Sequence, residues 1–329
     1  MFATLLPRLP RARRLLDATL CGAAGCAIAC ALFLFAPVAA AQAPFPNRPI
    51  TLVVGFTPGG SNDLIARAIA PKLSEILGVP VVVENKPGAS GTIGTAFTVN
   101  SKPDGHTITL GSTSVLSIAP HTVANLPFKE SDLTAVSTVA ASASVIAVNP
   151  NVPAKSMNEL IALAKTKQVS LASAGAGGIS HLNIEFIKAE TGGNFLHVAY
   201  KGAAPGVTDV VGGHVDGIVM DYSALAEMIK QGRMRAVAAS KPIDGIPTSP
   251  MVISPWYGVM APAQTPRSTI ATLNAAFVKA LNDPDVKSKL EKMGIEPFVL
   301  ATPEEAEAYM RADSARWAKV VKESGLKFE

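Results

Sequence analysis

Cysteine is nearly absent from this sequence, and its position limits the chemistry that the chain can perform. The 329 residues include three cysteines, Cys21, Cys26 and Cys30, and none follows residue 30. A chain processed after this region would hold no structural disulfide and no reactive thiolate. Its stability must then come from a hydrophobic core of sufficient size.

Excess charge of either sign is also lacking. The whole chain carries 29 basic and 25 acidic residues, a formal net charge of +4. Four of the basic residues (Arg8, Arg11, Arg13 and Arg14) and one acidic residue (Asp17) lie near the N-terminus, so the remainder has a net charge of about +1. No cluster of Lys and Arg with interleaved aromatic residues appears downstream, so we expect no nucleic-acid partner.

Motifs for catalysis and for cofactors are missing as well. The glycines in residues 55–60 lack the G-x-G-x-x-G spacing of a dinucleotide site, and no G-x-x-x-x-G-K-[ST] phosphate loop occurs. No serine stands in a G-x-S-x-G nucleophile elbow. The five histidines form no H-x-x-x-H pair and no H-E-x-x-H helix. The sequence therefore predicts no cofactor, no metal site and no catalytic residues.

The first 41 residues follow the plan of an export signal. A basic start precedes the uncharged apolar segment 18–38 and three alanines at residues 39–41, which predicts cleavage before Gln42 and a periplasmic location. One alternative is a retained membrane anchor, which the Ala- and Gly-rich composition and the following Pro-containing stretch disfavour. Another is a lipid anchor on Cys26 or Cys30, although neither has Leu three residues upstream.

Beyond this signal, strand and helix patterns alternate to the end of the chain. Such alternation is typical of an α/β fold with mainly parallel sheets, and the chain from residue 42 is long enough for two lobes. Residues 79–84 (VPVVVE) are almost continuously apolar, which predicts a strand buried on both faces. Ser61 or Asn62 is expected to cap the helix after the first strand, and Ser180 to cap a later helix.

Two glycine-rich corners join a predicted strand to a predicted helix. One lies in residues 50–67 (ITLVVGFTPGGSNDLIAR) and the other in residues 173–181 (SAGAGGISH). The first backbone N–H groups of a helix have no partner within it, and the helix dipole there favours an anion. Glycine could explain either corner as a tight turn. Two corners of this kind, one in each predicted lobe, favour an anion-binding cleft between the lobes.

Three charged or titratable residues near the corners have two interpretations each. Asp63 either interacts with the helix dipole and with Arg67 one turn later, or accepts a hydrogen bond from a ligand. His181 is either a structural histidine or a residue of the cleft. Lys201 is either a solvated surface lysine or a positive charge at the rim of the second lobe.

Seven segments from about residue 45 onward carry a family resemblance. In chain order they are FPNRPITLVVGFTPGGSNDLIAR, VVVENKPGASGTIG, KPDGHTITLGS, SAGAGGISHL, HVAYKGAAPGVTDVVGGHVDG, GRMRAVAAS and WYGVMAPAQTP. Together they resemble the TctC or Bug family of periplasmic solute-binding receptors of tripartite tricarboxylate transporters. The sequence departs from the family's pattern at Thr57, at the pair Ile179-Ser180 and in the segment 245–248.

The resemblance implies a periplasmic binding protein (Venus-flytrap) fold, in which two α/β lobes joined by a hinge hold an organic anion in an interlobe cleft. We expect the signal peptide at residues 1–41, lobe 1 at 42–143 and 257–329, and lobe 2 at 144–256. Carried over from the family, with the nearby strand ends added, the ligand-binding residues are expected to be Phe56, Thr57, Gly59, Gly60, Asn62, Asp63, Ser112, Ser173, Gly175, Gly177, Ser180, His181, Lys201 and Asp221.

We therefore expect a monomeric receptor, not an enzyme, that captures a small organic carboxylate and presents it to the membrane permease subunits of a tripartite tricarboxylate-type transporter. One alternative is a periplasmic α/β enzyme acting on a carboxylated substrate, which the missing nucleophile and metal spacings disfavour. The other is a ligand-sensing receptor for a signalling partner. Sensing and transport both require ligand-dependent closure, so the sequence does not separate them.

Overall fold

The computed structural model describes residues 44–324, which form two α/β lobes, each built around one mixed β-sheet. The predicted signal peptide and its cleavage site lie outside the described residues. The strands are β1 (Ile50–Val54), β2 (Val81–Asn85), β3 (Thr107–Ser112), β4 (Leu133–Ser142), β5 (Ser144–Val148), β6 (Val169–Ser173), β7 (Phe195–Ala199), β8 (Gly217–Asp221), β9 (Arg235–Ala239), β10 (Trp256–Pro262) and β11 (Ile295–Pro297). The helices are α1 (Ser61–Leu77), α2 (Thr92–Val99), α3 (Ala119–Thr122), α4 (Met157–Thr166), α5 (Ile179–Thr191), α6 (Ala203–Gly212), α7 (Tyr222–Lys230), α8 (Arg267–Asn282), α9 (Pro284–Lys292) and α10 (Pro303–Ser324). Within this part of the chain, no helix is both long enough and apolar enough to cross a membrane.

The sheet of the first lobe has six strands in the order β11-β4-β10-β3-β1-β2. Strand β1 is parallel to β2 and β3, whereas β10 is antiparallel to β3 and β4, and β11 is antiparallel to β4. Helices α1 and α2 supply the crossovers that the parallel pairs require. The carboxyl ends of β1 and β3 therefore lie side by side at one end of the strands, where the first glycine corner and Ser112 lie.

The sheet of the second lobe has five strands in the order β7-β6-β8-β5-β9. Strand β6 is parallel to β7 and β8, whereas β5 is antiparallel to β8 and β9. The prediction of mainly parallel sheets is wrong, because β5 and β10 follow segments that pass between the lobes rather than crossover helices. An alternating pattern of strands and helices does not report such a change of direction.

The chain passes between the two sheets at two places. Strand β4 ends at Ser142 and β5 begins at Ser144. The return leads from β9 to Trp256, the first residue of β10. The backbone N–H of Trp256 donates to Thr113 Oγ1 at 2.8 Å, which ties the return to the end of β3. The exact residue boundaries of the lobes stay a prediction.

Strand β2 lies at the edge of its sheet, and none of its residues is fully buried, so the prediction that it is buried on both faces is wrong. Val81 and Val83 pack against the core of the first lobe, whereas Val82 is 52% exposed. An exposed valine hides the alternation of apolar and polar residues that is typical of a half-buried strand.

Glycine caps the helices at both corners, so the predicted side-chain caps there are wrong. Gly60 is the N-cap of α1, and Gly178 is the N-cap of α5. Ser61, Asn62 and Ser180 are instead residues of the first helical turns, and all three are buried. A glycine N-cap leaves the start of the helix unobstructed by a side chain, so an incoming group can approach the first backbone N–H groups.

Each lobe has its own hydrophobic core. In the first lobe, Leu52 of β1, Ile69 of α1 and Phe277 of α8 are fully buried in one cluster. In the second lobe, Ile146 of β5 and Leu171 of β6 belong to a separate cluster. The two cores make each sheet a rigid support for the loops at its edge.

Candidate functional site

The first glycine corner, residues 55–60, is held in shape by Asp63. Its Oδ2 atom accepts a hydrogen bond from the backbone N–H of Gly59 at 2.9 Å. Arg67 donates from Nε to both carboxylate oxygens at 2.9 Å, and Asn85 donates from Nδ2 at 2.9 Å. Burial alone would raise the pKa of Asp63, but these hydrogen bonds and the charge of Arg67 lower it. Asp63 is thus an ionised carboxylate whose hydrogen bonds brace the corner.

A stacked histidine pair supports the second glycine corner, residues 173–181. The rings of His181 and His197 lie with their centroids 3.7 Å apart and 13° between their planes. His181 Nδ1 accepts a hydrogen bond from the backbone N–H of Gly177 at 3.0 Å, so this nitrogen carries no proton. His197 Nε2 lies 2.6 Å from Ser173 Oγ. Burial lowers the pKa of both histidines to about 4, and both rings are therefore neutral near pH 7.

The two lobes are in direct contact around the corners. Ser90 Oγ of the first lobe donates to the carbonyl oxygen of Ala176 in the second corner at 2.7 Å. The backbone N–H of Ile179, the first residue of α5, donates to Ser114 Oγ of the first lobe at 3.1 Å. The structure therefore has the lobes closed on each other.

A cavity of about 40 Å³ lies between the two corners. The first turns of α1 and α5, the ends of β3 and β8, and the start of β10 contribute its walls. The lining residues are Phe56, Gly60, Ser61, Asn62, Ser112, Ser114, Ala174, Ile179, Ser180, Ala203, Met220, Asp221, Pro255 and Tyr257.

Asp221, the last residue of β8, brings a carboxyl group into this cavity. Its Oδ2 atom accepts a short hydrogen bond from the hydroxyl group of Tyr257, and Ser61 supplies a second hydrogen bond. Burial raises the pKa of Asp221 to about 7, although the hydrogen bond from Ser61 acts in the opposite direction. Of the described residues that line the cavity, none is Lys, Arg, His or Glu. Across residues 44–324, no group of three His, Cys, Asp or Glu side chains is placed to hold a metal ion.

The structure brings part of the predicted site together at the cavity and places the rest behind it. The predicted residues that line the cavity are Phe56, Gly60, Asn62, Ser112, Ser180 and Asp221. The predicted residues outside the lining, which belong to the corners or their supports, are Gly59, Asp63, Ser173, Gly175, Gly177 and His181. Lys201 is exposed and does not line the cavity.

Thr57 is a predicted site residue with an unusual environment. Its hydroxyl oxygen is buried and has no hydrogen-bond partner among the described residues. The backbone of Gly202 in the second lobe approaches it so closely that a Cβ atom there would lie 2.4 Å from Thr57 Oγ1. Thr57 therefore lies at the contact between the lobes rather than in the wall of the cavity.

Sequence reasoning missed three polar residues of the lining, namely Ser61, Ser114 and Tyr257. Ser61 and Ser114 stand within two residues of the predicted residues Asn62 and Ser112, so the serines near strand ends were a usable signal. Tyr257 comes from the strand that returns from the second lobe, and its sequence neighbours carry no signal for a site.

A larger cavity of about 510 Å³ opens on the first lobe, away from both corners. Its lining is mainly apolar and includes Leu116, Phe128, Met260 and Met310. It contains none of the predicted site residues, and it is therefore separate from the candidate site.

Comparison with known proteins supplies the family context. The family model of the tripartite tricarboxylate transporter family receptor, TctC, matches residues 65–326. Protein BugT of Bordetella pertussis is 36% identical over 309 residues, which cover 89% of this chain and 94% of BugT. The structure of the periplasmic binding protein BugD has a TM-score of 0.81 at 30% identity, covering 86% of this chain and 99% of BugD. The structure of R. palustris Rpa4515 with adipate has a TM-score of 0.81 at 29% identity, covering 86% of this chain and 99% of Rpa4515.

Proposed function

Because the chain belongs to the TctC family of tripartite tricarboxylate transporter receptors, we propose that it captures a small organic carboxylate between its lobes and delivers it to a tripartite tricarboxylate-type membrane transporter. Its two-lobe α/β architecture is the periplasmic binding protein fold. The observation that carries the proposal is that two helix N-termini, capped by Gly60 and Gly178, meet at one cavity lined by hydroxyl groups.

A carboxylate in this cavity would be held by backbone N–H groups and hydroxyl groups rather than by a cationic side chain. Helices α1 and α5 are 17 and 13 residues long, and each places partial positive charge at its N-terminus. Ser112 and Ser114 add hydroxyl groups from the first lobe, and Ser180 adds one from the second. Since each lobe supplies only part of the donors, tight binding requires closure.

The lobes must separate to admit such a ligand. The closed cavity measures about 40 Å³, whereas small-molecule sites commonly measure about 300–1,000 Å³. The two passages of the chain between the sheets, at residues 142–144 and before Trp256, are the natural hinge. Rotation about them would widen the cleft without unfolding either sheet.

One contact resembles a nucleophile and its base, and it bears on the enzyme alternative. Ser173 Oγ and His197 Nε2 lie 2.6 Å apart. Ser173 is fully buried, its hydroxyl group also contacts the backbone of Gly175, and neither Ser173 nor His197 lines the cavity. The pair therefore supports the second corner, and we propose that the protein has no enzymatic activity.

Further parts of the proposal rest on family membership. We propose a periplasmic location after cleavage near Ala41 and Gln42, a monomeric state and permease subunits as partners. Residues 42–143 with 257–329 and residues 144–256 would be the two moving lobes. Genes for a membrane permease next to the gene of this protein would support transport over a sensory role.

The direct test is ligand binding by the protein beginning at Gln42. A thermal-shift screen of mono-, di- and tricarboxylates, including adipate, should raise the melting temperature with at least one compound, and calorimetry should then give its Kd. Failure of the whole panel to bind would contradict the proposed function.

Two variants at Gly60 test the location of the site. A Cβ atom at Gly60 would lie 3.5 Å from the carbonyl oxygen of Thr57, an ordinary contact, so a side chain is tolerated there. Gly60→Asp places a negative charge beside the anion position, whereas Gly60→Asn adds nearly the same volume without charge. We expect Gly60→Asp to weaken binding at least about tenfold more than Gly60→Asn, a difference of about 1.4 kcal/mol. Equal affinities of the two variants would place the carboxylate elsewhere.

A further inference from the structure

Asp221 occupies an unfavourable position for a carboxylate in a receptor that binds anions. It projects from the end of β8 into the same small cavity onto which the N-termini of α1 and α5 open. A ligand carboxylate placed at those helix ends would lie within a few ångströms of the Asp221 carboxyl group, because the whole cavity measures about 40 Å³. Two carboxylates in one site repel each other unless one of them is protonated.

The surroundings of Asp221 offer hydrogen bonds but no positive charge. Tyr257 of β10 and Ser61 of α1 donate to its carboxyl group, and Ser144 of β5 is its neighbour across the sheet. Ser223 of α7 donates to Ser61 Oγ at 2.8 Å. None of these side chains supplies a positive charge to Asp221.

The charged groups on the elements around the cavity have partners other than Asp221 or are exposed to solvent. Arg67 pairs with Asp63 on α1, and Lys188 pairs with Glu185 on α5, which also lies 3.8 Å from the neutral ring of His181. Asp209 of α6 accepts a hydrogen bond from Tyr200, and Glu227 of α7 accepts one from Gln231, whereas Lys201 and Lys230 are exposed. Asp221 therefore has no cation among the described residues that line the cavity.

We propose that Asp221 takes up a proton when the lobes close on a carboxylate ligand, and that its hydroxyl group then donates a hydrogen bond to the ligand. The proton comes from solvent and binds Oδ1, because Oδ2 accepts the hydrogen bond from Tyr257. No other bond is made or broken. Asp221 thereby changes from a group that repels the ligand into one that binds it, and it determines how many negative charges the cleft accepts.

This inference rests on the proposed function and adds a pH dependence to it. With the lobes apart, the carboxyl group meets water and should titrate near its ordinary pKa of 3.8, whereas burial in the closed structure raises the pKa to about 7. Between these values the closed protein holds a proton that the open protein lacks. The Kd should therefore increase by roughly tenfold per pH unit between pH 5 and pH 7, and it should level off only above the pKa of Asp221 in the complex, which the ligand carboxylate raises further.

The experiment is calorimetry with adipate, succinate and malate from pH 5.5 to pH 8.5. Each titration is run in two buffers of different ionisation enthalpy, which gives the number of protons taken up per ligand bound. Asp221→Asn keeps the shape and carries no titratable group, so subtracting its values removes the protonation of the ligand itself. Asp244→Asn is the matched control, because Asp244 is an exposed aspartate of the same lobe outside the cavity.

We expect the wild type and Asp244→Asn to take up close to one proton more than Asp221→Asn near pH 6. Asp221→Asn should have a flat pH profile and should bind at pH 8 at least about tenfold more tightly than the wild type, since its amide group is a neutral donor. Ligand binding with the same proton uptake in the wild type and in Asp221→Asn would overturn this inference and leave the proposed function standing. If no compound binds the wild type at any pH, both fail.

A second variant keeps the test decisive if Asp221→Asn does not fold. Tyr257→Phe removes a donor that favours the ionised form of Asp221, so the closed protein should keep its proton to a higher pH. The pH at which the Kd stops increasing should then be higher than in the wild type. An unchanged or lower value would contradict the role of Asp221.

Discussion

The hydroxyl group of Ser90 joins the two lobes by donating a hydrogen bond to the carbonyl oxygen of Ala176 at 2.7 Å. Ser90 holds a left-handed backbone conformation, with φ at 52°. Such a conformation is uncommon for a residue with a Cβ atom and costs about 1–3 kcal/mol. The side chain thus occupies a strained position in which glycine would be more relaxed, and in this position it reaches the second glycine corner.

Two substitutions of Ser90 should separate the effect of its hydrogen bond from the effect of its backbone strain. Ser90→Ala removes the hydroxyl group and keeps the strain, whereas Ser90→Gly removes both. Both variants should bind a carboxylate about 2- to 12-fold more weakly, because a hydrogen bond contributes about 0.5–1.5 kcal/mol to the closed state. Only Ser90→Gly should also raise the melting temperature of the ligand-free protein. Calorimetry and thermal unfolding measure the two effects, and unchanged affinity in both variants would show that this contact does not stabilise closure.

Gly202 should be essential for closure because the backbone of the corner before α6 lies against Thr57. A Cβ atom at Gly202 would lie 2.4 Å from Thr57 Oγ1 and 3.1 Å from its backbone nitrogen. Gly202→Ala should therefore hold the lobes apart and weaken ligand binding by more than about tenfold, a difference of 1.4 kcal/mol. Small-angle scattering should show a ligand-bound radius of gyration larger than that of the wild type.

The control for this variant is Gly192→Ala. Gly192 also has a positive φ, 64°, but nothing lies within 4 Å of a Cβ atom built there. Gly192→Ala should lose about 1 kcal/mol of stability from its left-handed backbone. Gly202→Ala should lose more, because φ of 141° with ψ of −174° is a conformation that essentially only glycine adopts. Gly192→Ala should nevertheless close and bind ligand normally. Normal closure in Gly202→Ala would mean that the corner moves aside, and the contact with Thr57 would then not limit closure.

The stacked pair of His181 and His197 should make the second lobe sensitive to acid. In the folded protein the pKa of each ring is lowered to about 4, whereas the ordinary value is 6.5. The unfolded chain therefore binds more protons between these values, and the free energy of unfolding should fall as the pH decreases from 6.5 to 4. Thermal unfolding across this range should show a smaller decrease for His197→Gln than for the wild type.

His214→Gln provides the comparison for the histidine pair, since His214 is exposed. Its melting temperature should follow that of the wild type at every pH. If His197→Gln loses stability with acid as steeply as the wild type, the acid sensitivity arises elsewhere in the protein.

The sequence predicted the parts of this fold that local chemistry determines. The glycine corners and the alternation of strands and helices follow from residues close together in the chain, whereas the two-lobe arrangement was expected from chain length and the family resemblance. Strand direction and strand β11 depend on where the chain passes between the lobes. That path is determined by packing over long sequence separations, and no local pattern encodes it.

In the candidate site too, the residues of the corners could be predicted from the sequence, whereas residues brought in from distant segments could not. Gly60, Asn62 and Ser180 lie in the corners to which the helix-terminus argument pointed, and the family resemblance named them as expected site residues. Tyr257 and Ser90 reach the interface from segments far away in sequence, and their roles depend on the closed arrangement of the lobes. The pKa of Asp221 likewise has no counterpart in the sequence, because it arises from burial between two lobes.

The final prediction concerns Asp63, which should act on binding through the shape of the first corner. Its carboxylate accepts hydrogen bonds from the backbone of Gly59, from Arg67 and from Asn85. Asp63→Asn removes the charge from all three contacts and should reduce the free energy of unfolding by about 2 kcal/mol, as expected for hydrogen bonds to a charged group. Because the pKa of Asp63 is lowered in the folded protein, this difference should be present above pH 3.8 and diminish as the pH falls below it.

Ligand affinity shows whether Asp63 supports the corner or contacts the ligand directly. If Asp63 only supports the shape of the corner, Asp63→Asn should lower both the ligand affinity and the stability of the protein. The pH profile of binding should then keep the slope that Asp221 produces. Urea unfolding and calorimetry at pH 6 and pH 8 measure both quantities, with Asp244→Asn as the exposed control. Weaker binding with unchanged stability would instead indicate that Asp63 contacts the ligand. Because Asp63 accepts the hydrogen bond of the Gly59 N–H and does not line the cavity, we expect the combined loss.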